Sequence, residues 1–169
     1  MAGSIPGTMP ADSYETILAH LSDKKIRVIV DATNNLLLNT LKYRPFLIKP
    51  NHHELGELFG VQLTDIEKIT FYARKLQEMG AENVLVSMAE NGALLIDAGG
   101  NYHRCGVCEG IVKNAVGAGD SMLAGFLAGF LKEDYAYALK LGTAAGGATA
   151  FSDGLAQKAE IARLLAQLL

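Results

Sequence analysis

Short apolar or β-branched runs alternate along this chain with longer stretches in which apolar residues return every three or four positions. The runs at 26–31, 46–49, 84–87 and 93–97 predict strands. A strand buried on both faces shows a short continuous run of hydrophobicity, not strict alternation. Gly99-Gly100-Asn101 predicts a hairpin turn from the last of these into Tyr102-His103-Arg104. The helical period predicts helices over 10–21, with Tyr14, Ile17, Leu18 and Leu21 on one face, and over 64–79, with Ile66, Ile69, Tyr72, Ala73, Leu76 and Met79. Thr64-Asp65-Ile66-Glu67 has the spacing of a capping box, and Gly80 closes that helix. Two Ala- and Gly-rich helices follow over 119–132 and 135–151, and a last one over 156–169 places Ile161, Leu164, Leu165 and Leu168 together. Strand–helix–strand alternation implies an α/β fold, a mostly parallel sheet flanked by helices with Rossmann-like layering. Without repeats, low-complexity tracts or linkers, one α/β unit is expected, not two domains.

The size and composition are consistent with this. With 169 residues, 50% hydrophobic and 20% charged, the chain suits one domain with a real core and is too apolar for a disordered state. A formal charge of -3 argues against nucleic acid as a partner, since that footprint needs clustered Lys and Arg. The longest apolar run, 122–131, is half the roughly 20 residues a membrane-spanning helix needs, so no membrane partner is expected. Met1-Ala2-Gly3-Ser4-Ile5-Pro6 lacks the basic and apolar regions of a secretory signal, and two cysteines make no disulfide framework. The expectation is a soluble, cytoplasmic protein.

Asn114-Ala115-Val116-Gly117-Ala118-Gly119-Asp120-Ser121 is the most informative segment. Two glycines flanking Ala allow a tight turn that presents bare N–H groups, and the following helix points its positive end at the same place, making an anion hole suited to phosphate. A carboxylate, Asp120, in the first turn of such a helix repels phosphate unless it faces a hydroxyl that must lose its proton while attacking phosphorus. The competing reading is that Asp120 only caps the helix. The segment is neither a Walker A loop, lacking Gly-Lys-Ser/Thr, nor a dinucleotide fingerprint, because Met122 stands where the third glycine belongs. Ala124, Gly125, Ala128 and Gly129 then suggest close approach of another helix backbone.

Three further segments carry candidate chemistry. Lys49-Pro50-Asn51-His52-His53-Glu54 lies past the end of a predicted strand, where ligands of open parallel sheets bind. Asn51 and Glu54 share a helical face and suit Mg²⁺, which takes few protein ligands, while Lys49 is placed to neutralise a nucleotide phosphate. The alternative is a solvated helix start with Asn as cap. Ser87-Met88-Ala89-Glu90-Asn91-Gly92-Ala93 reads either as a turn against a nucleotide's ribose and phosphates or as an ordinary connection. Cys105-Gly106-Val107-Cys108 lacks the four ligands of a structural zinc site and the helix start of a redox pair, and His52 and His53 read as surface residues.

The Val116-Gly117-Ala118-Gly119-Asp120-Ser121 run, Lys49-Pro50-Asn51-x-x-Glu54 and Ser87-x-Ala89-x-x-Gly92-Ala93 occur in the order and approximate spacing of the C-terminal signature, the Asn-x-x-Glu magnesium motif and the nucleotide loop of the ribokinase/PfkB carbohydrate kinases, and the chain resembles that family over essentially its whole length. The resemblance implies a ribokinase-like fold and ATP-dependent phosphoryl transfer to a sugar-phosphate hydroxyl. It is strongest toward the members that act on fructose 1-phosphate, with tagatose-6-phosphate kinases and other sugar kinases of the family as alternatives. It implies Asp120 as catalytic base with Gly117, Ala118 and Gly119 as anion hole. It further implies Mg²⁺ at Asn51 and Glu54, and ATP contacts from Lys49, Asn51, Ser87, Ala89, Glu90, Gly92 and Gly119, with Ala144 and Ala148 beside adenine. A monovalent cation is used by some relatives. A reading of another class is a nucleotide-binding module without catalysis. Ala89 departs from the family's Gly, which strains the loop if that position needs positive φ, and Ala115 replaces a common Ser or Thr. Family members run roughly twice the size of an average domain, and Gly3-Ser4-Ile5-Pro6 is similar to a mid-chain segment. The expectation is therefore that 1–169 is the C-terminal ATP-binding part, truncated at the N-terminus and lacking the sugar-binding and lid half. Such a part would be poorly active alone and, with an exposed sheet edge, a possible homo-oligomer.

Overall fold

The computed structural model describes every residue except Ser4 and Gly7. The Gly3–Pro6 likeness, which includes Ser4, thus lies partly outside the described residues. Strands β1 (Ile29–Val30), β2 (Leu47–Ile48), β3 (Asn83–Ser87), β4 (Ala93–Ile96) and β5 (Tyr102–Cys105) form a sheet in the order β1-β2-β3-β4-β5. The first three are parallel, with Ile29 opposite Leu47, Val30 opposite Ile48, and Ile48 opposite Val84. The links from β3 to β4 and from β4 to β5 are short turns, which join antiparallel neighbours only. The sheet is therefore mixed, parallel over β1–β3, within the expected α/β architecture of a sheet flanked by helices. The chain divides into two compact units.

The first unit comprises residues 1–86 and 96–101. Its strand interiors, Val30, Leu47, Ile48, Val84, Leu85 and Val86, are fully buried, as continuous apolar runs on both faces require. The strand expected over 26–31 shortens to Ile29–Val30, because Ile26 and Arg27 are exposed. Helix α1 (Ser13–Leu21) buries Leu18 and leaves Ile17 exposed. Helix α2 (Asn34–Thr40), continued by a 3₁₀ turn at Leu41–Tyr43, was not foreseen. Helix α3 (His52–Phe59) follows β2, and α4 (Ile66–Glu78) buries Ile69, Ala73 and Leu76. The cap of α4 is Asp65, which accepts from the Lys68 N–H at 2.8 Å, and not Thr64. The hairpin turn behaves as expected: Asp97 is buried, and its Oδ1 accepts from the Gly99 and Asn101 N–H groups.

The second unit comprises residues 87–95 and 102–169. Helices α5 (Ala118–Phe130) and α6 (Tyr135–Ala150) pack backbone to backbone. A Cβ added at Gly125 would lie 2.7 Å from the Ala145 Cβ, one at Gly129 2.7 Å from the Ala138 Cα, and one at Gly142 2.8 Å from the Met122 carbonyl. Ala124 and Ala128, expected in this seam, are exposed instead. Helix α7 (Lys158–Leu165) covers α6 from one side, with Leu164 buried against Cys108, Ala144 and Ala148. Among the described residues, no helix is long and apolar enough to cross a membrane.

Candidate functional site

In the second unit the residues before α5 turn on Gly117, whose φ of +80° lies in the left-handed region that favours glycine. An added Cβ there would also press on the Leu155 side chain, 3.1 Å away. The turn is braced by the Asn114 side chain, which accepts from the Val116 N–H at 3.0 Å, and by the Ser121 N–H donating to the Gly117 carbonyl at 2.9 Å. Among the described residues, the N–H groups of Gly117, Gly119 and Asp120 make no hydrogen bond, so the first turn of α5 keeps three donors for an anion. Ala118 does not join them: its N–H donates to the Ala115 carbonyl at 3.2 Å.

Asp120 sits at the third position of this helix with its side chain exposed. The cap is Gly117 and no side chain among the described residues caps the helix, so the expected alternative, Asp120 as a mere cap, is not what the structure contains. Among the described residues its carboxylate has no hydrogen-bond or ion-pair partner. An exposed carboxylate beside three open amide donors can take a proton from a group that approaches the same anion.

The Ser87–Gly92 turn belongs to the same unit. Ala89 has φ +49°, so the departure from glycine noted in the sequence does place a side chain in left-handed backbone. The turn is held by Met88 N–H to the Gly92 carbonyl at 2.8 Å and Gly92 N–H to the Ala89 carbonyl at 3.1 Å. Gly92 (φ +82°) lies flat on β5, where a Cβ would collide with the Cys105 carbonyl. Ala89 and Glu90 are exposed, and Ser87 is half-buried. Ala144 and Ala148, expected beside adenine, are fully buried in the apolar cluster under α7 and offer no surface to a ligand. Cys105 and Cys108 are free, buried thiols. Burial first, and then the neighbouring Cys105, pushes Cys108 up to about 11 against the opposing charge of Arg163, which makes both a redox and a metal role unfavourable.

The remaining predicted residues lie in the first unit. Asn51 and Glu54 form a complete capping box at the start of α3. The Asn51 Oδ1 accepts from the His53 and Glu54 N–H groups, both at 2.9 Å, and Glu54 Oε2 accepts from the Asn51 N–H at 2.8 Å. The helix-start alternative is therefore realised. The Asn51 amide oxygen has both lone pairs filled and does not fit as a direct Mg²⁺ ligand; Glu54 Oε1 is the oxygen outside the box. Lys49 is not a free phosphate neutraliser. Its side chain is 7% exposed and its Nζ lies 3.0 Å from Asp31 Oδ2. Sequence reasoning missed this partner, because Asp31 is 18 positions away and only parallel pairing of β1 and β2 brings it close. His53 is exposed as expected, whereas His52 is half-buried, its Nδ1 without a partner among the described residues. Among the described residues no cluster of three or more His, Cys, Asp and Glu could hold a metal. Two grooves of about 670 and 690 Å³ lie around Arg44, Gln77 and Gly100, and around Val61, Lys68 and Phe71, and touch none of the predicted residues.

The sequence profile of the pfkB family carbohydrate kinases matches residues 1–162. The chain is 45% identical to the 1-phosphofructokinase of Bacillus subtilis over 99% of its own length and 55% of the relative's, and 34% identical to the D-tagatose-1-phosphate kinase of Bacillus licheniformis over 99% and 56%. The Escherichia coli phosphofructokinase-2 in complex with potassium superposes with a TM-score of 0.89 at 26% identity, covering 98% of this chain and 55% of that one. The chain thus spans about half the length of the relatives it matches.

Proposed function

Because this chain belongs to the pfkB family of carbohydrate kinases, we propose that it carries the nucleotide-binding and proton-abstracting side of a sugar-phosphate kinase, transferring the γ-phosphoryl group of ATP to a hydroxyl of a phosphorylated ketohexose. Fructose 1-phosphate, yielding fructose 1,6-bisphosphate, is the preferred acceptor, on the strength of the identity to the Bacillus subtilis 1-phosphofructokinase. A tagatose phosphate is the runner-up, on the likeness to the Bacillus licheniformis enzyme.

The single observation that carries the reading is the exposed Asp120 carboxylate, without a partner among the described residues, one residue past the open Gly119 amide and three past that of Gly117. In the proposed reaction Asp120 accepts the hydroxyl proton as that oxygen bonds to phosphorus and the bond to the departing ADP oxygen breaks. The Gly117, Gly119 and Asp120 N–H groups hold the charge on the transferring group, a task for preorganised amides in a loose phosphoryl transition state. Ser87, Ala89, Glu90 and Gly92 are assigned to the nucleotide. Mg²⁺ would neutralise the phosphate oxygens; in this chain its contact is assigned to Glu54, with Asn51 holding that carboxylate. A monovalent cation belongs to the proposal because the Escherichia coli relative was solved with potassium.

The test is Asp120→Asn. In the full-length enzyme, turnover with fructose 1-phosphate and Mg·ATP is expected to fall by about 10²–10⁴-fold, while Mg·ADP affinity by calorimetry stays within about threefold of wild type, as loss of a proton acceptor alone predicts. Turnover unchanged in the variant would remove Asp120 as the base, no turnover in a wild type that binds Mg·ADP would leave a non-catalytic nucleotide-binding module, and a wild-type chain that fails to bind Mg·ADP would sink both readings.

A further inference from the structure

Three of the hydroxyls on and just after α6 are spent differently. Thr143 donates to the Leu139 carbonyl four residues back, at 2.9 Å, and Ser152 does the same to Ala148 at 2.7 Å. Such back-bonding is the ordinary local use of a helical hydroxyl. Thr149, only 1% exposed, reaches across to α5 instead: its Oγ1 lies 2.7 Å from the Ser121 Oγ and accepts from the Ala156 N–H at 3.1 Å. The Thr149 hydroxyl thus donates its one proton to Ser121, the residue that follows Asp120, while one of its two lone pairs takes the Ala156 N–H.

The same stretch of chain grips the glycine turn elsewhere. The Lys113 and Asn114 N–H groups both donate to the Ala150 carbonyl, at 2.8 and 3.1 Å. Lys113 Nζ pairs with Asp153 at 3.1 Å. The Leu155 side chain stands against Gly117. Residues 149–156 therefore hold the turn from both sides: by backbone bonds before it, by Leu155 on it, and by a buried hydroxyl after it. Of these ties only the Thr149 hydroxyl joins the helix bearing the carboxylate to the chain beyond α6.

We infer that Thr149 is a positioning residue: it fixes the first turn of α5 so that the three amides and the Asp120 carboxylate face one anion. This deepens the kinase reading and rests on it. Removing the hydroxyl releases Ser121 and Ala156 together, and the amides must then be ordered by the ligand at the moment of binding, which weakens it.

Thr149→Val is nearly isosteric and Thr149→Ser keeps the hydroxyl, so the two separate packing from hydrogen bonding. Thr40→Val removes another fully buried hydroxyl, bonded to Leu37 at 2.7 Å in the first unit, as a control for generic loss of stability. Two readouts are taken on the whole chain: amide hydrogen exchange at Ser121 and Ala156 without ligand, and Mg·ADP affinity by calorimetry. Thr149→Val is expected to speed exchange at both amides at least tenfold and to weaken Mg·ADP binding at least tenfold. Thr149→Ser and Thr40→Val should stay within about twofold in both. Unchanged exchange in Thr149→Val overturns the inference, as does unchanged affinity or a Thr149→Ser that fails to rescue. If Thr149→Val does not fold, Ser121→Ala, which removes only the acceptor, decides by the same two readouts. A wild-type chain that does not bind Mg·ADP refutes the kinase reading, while the exchange comparison still decides whether Thr149 holds the turn.

Discussion

Replacing Ala89 by glycine should stabilise this protein, although glycine substitution in ordered backbone is usually costly. Ala89 has φ +49°, where a Cβ crowds the backbone, and its side chain is exposed, so no buried apolar contact is lost with the methyl. Left-handed backbone costs an L-residue about 1–2 kcal/mol. Against that relief stands the greater freedom glycine gives the unfolded chain, about 0.4–1 kcal/mol. The balance favours Ala89→Gly by about 0.5–1 kcal/mol, which for a chain of this size raises Tm by about 1–4 °C. Equilibrium urea unfolding should show a higher midpoint with an unchanged slope, since the surface exposed on unfolding does not change. Gly92→Ala, three positions on in the same turn, should go the other way by more than about 2 kcal/mol, because it adds both the left-handed penalty and overpacking against the backbone of β5. A lowered midpoint for Ala89→Gly, or a tolerated Gly92→Ala, would refute the reasoning that this turn is held in left-handed backbone by its Met88–Gly92 bonds.

Other outcomes follow from the same structure. Asn51→Ala removes the acceptor of two N–H groups and should cost about 1 kcal/mol in chemical denaturation. Asp65→Ala should lower the unfolding midpoint while Thr64→Ala leaves it unchanged, reversing the assignment that spacing suggests. Lys49→Met strands the half-buried Asp31 and should destabilise by about 2–4 kcal/mol, whereas a phosphate-binding lysine would mainly alter nucleotide affinity. Cys108, pushed up to about 11 by burial, holds its proton in the folded chain at pH values where the unfolded thiol has lost it. Stability from this group is therefore full below the ordinary thiol range and falls as pH rises from about 9 to 11, and Cys108→Ala should flatten that limb of the stability–pH curve.

The sequence made most of the strands legible, because buried strands such as 83–87 and 93–96 are continuous apolar runs closed by turn residues. It hid α2, whose Asn-Asn-Leu-Leu-Leu-Asn-Thr stretch has neither charge pattern nor a clean three-to-four spacing, and whose first residue lies at φ +51°. The glycine turn and Asp120 were readable because their chemistry is local: the amides, the helix start and the carboxylate are consecutive in the chain. Lys49 and Thr149 were not, since each is defined by a partner many positions away, Asp31 and Ser121, which only strand pairing and helix packing deliver. The Asn51–Glu54 spacing was legible but ambiguous, because the same three-residue separation suits a metal and a cap, and here the cap takes the amide oxygen.

The glycine seam between α5 and α6 limits how this scaffold can diversify. With backbone lying on backbone at Gly125, Gly129 and Gly142, there is no side chain to lengthen or trim there, so substitutions cannot tilt the acid-bearing rod by small increments. Variation, whether natural or engineered, is channelled to the solvent-facing Ala124 and Ala128, where the rod can be redecorated without being moved.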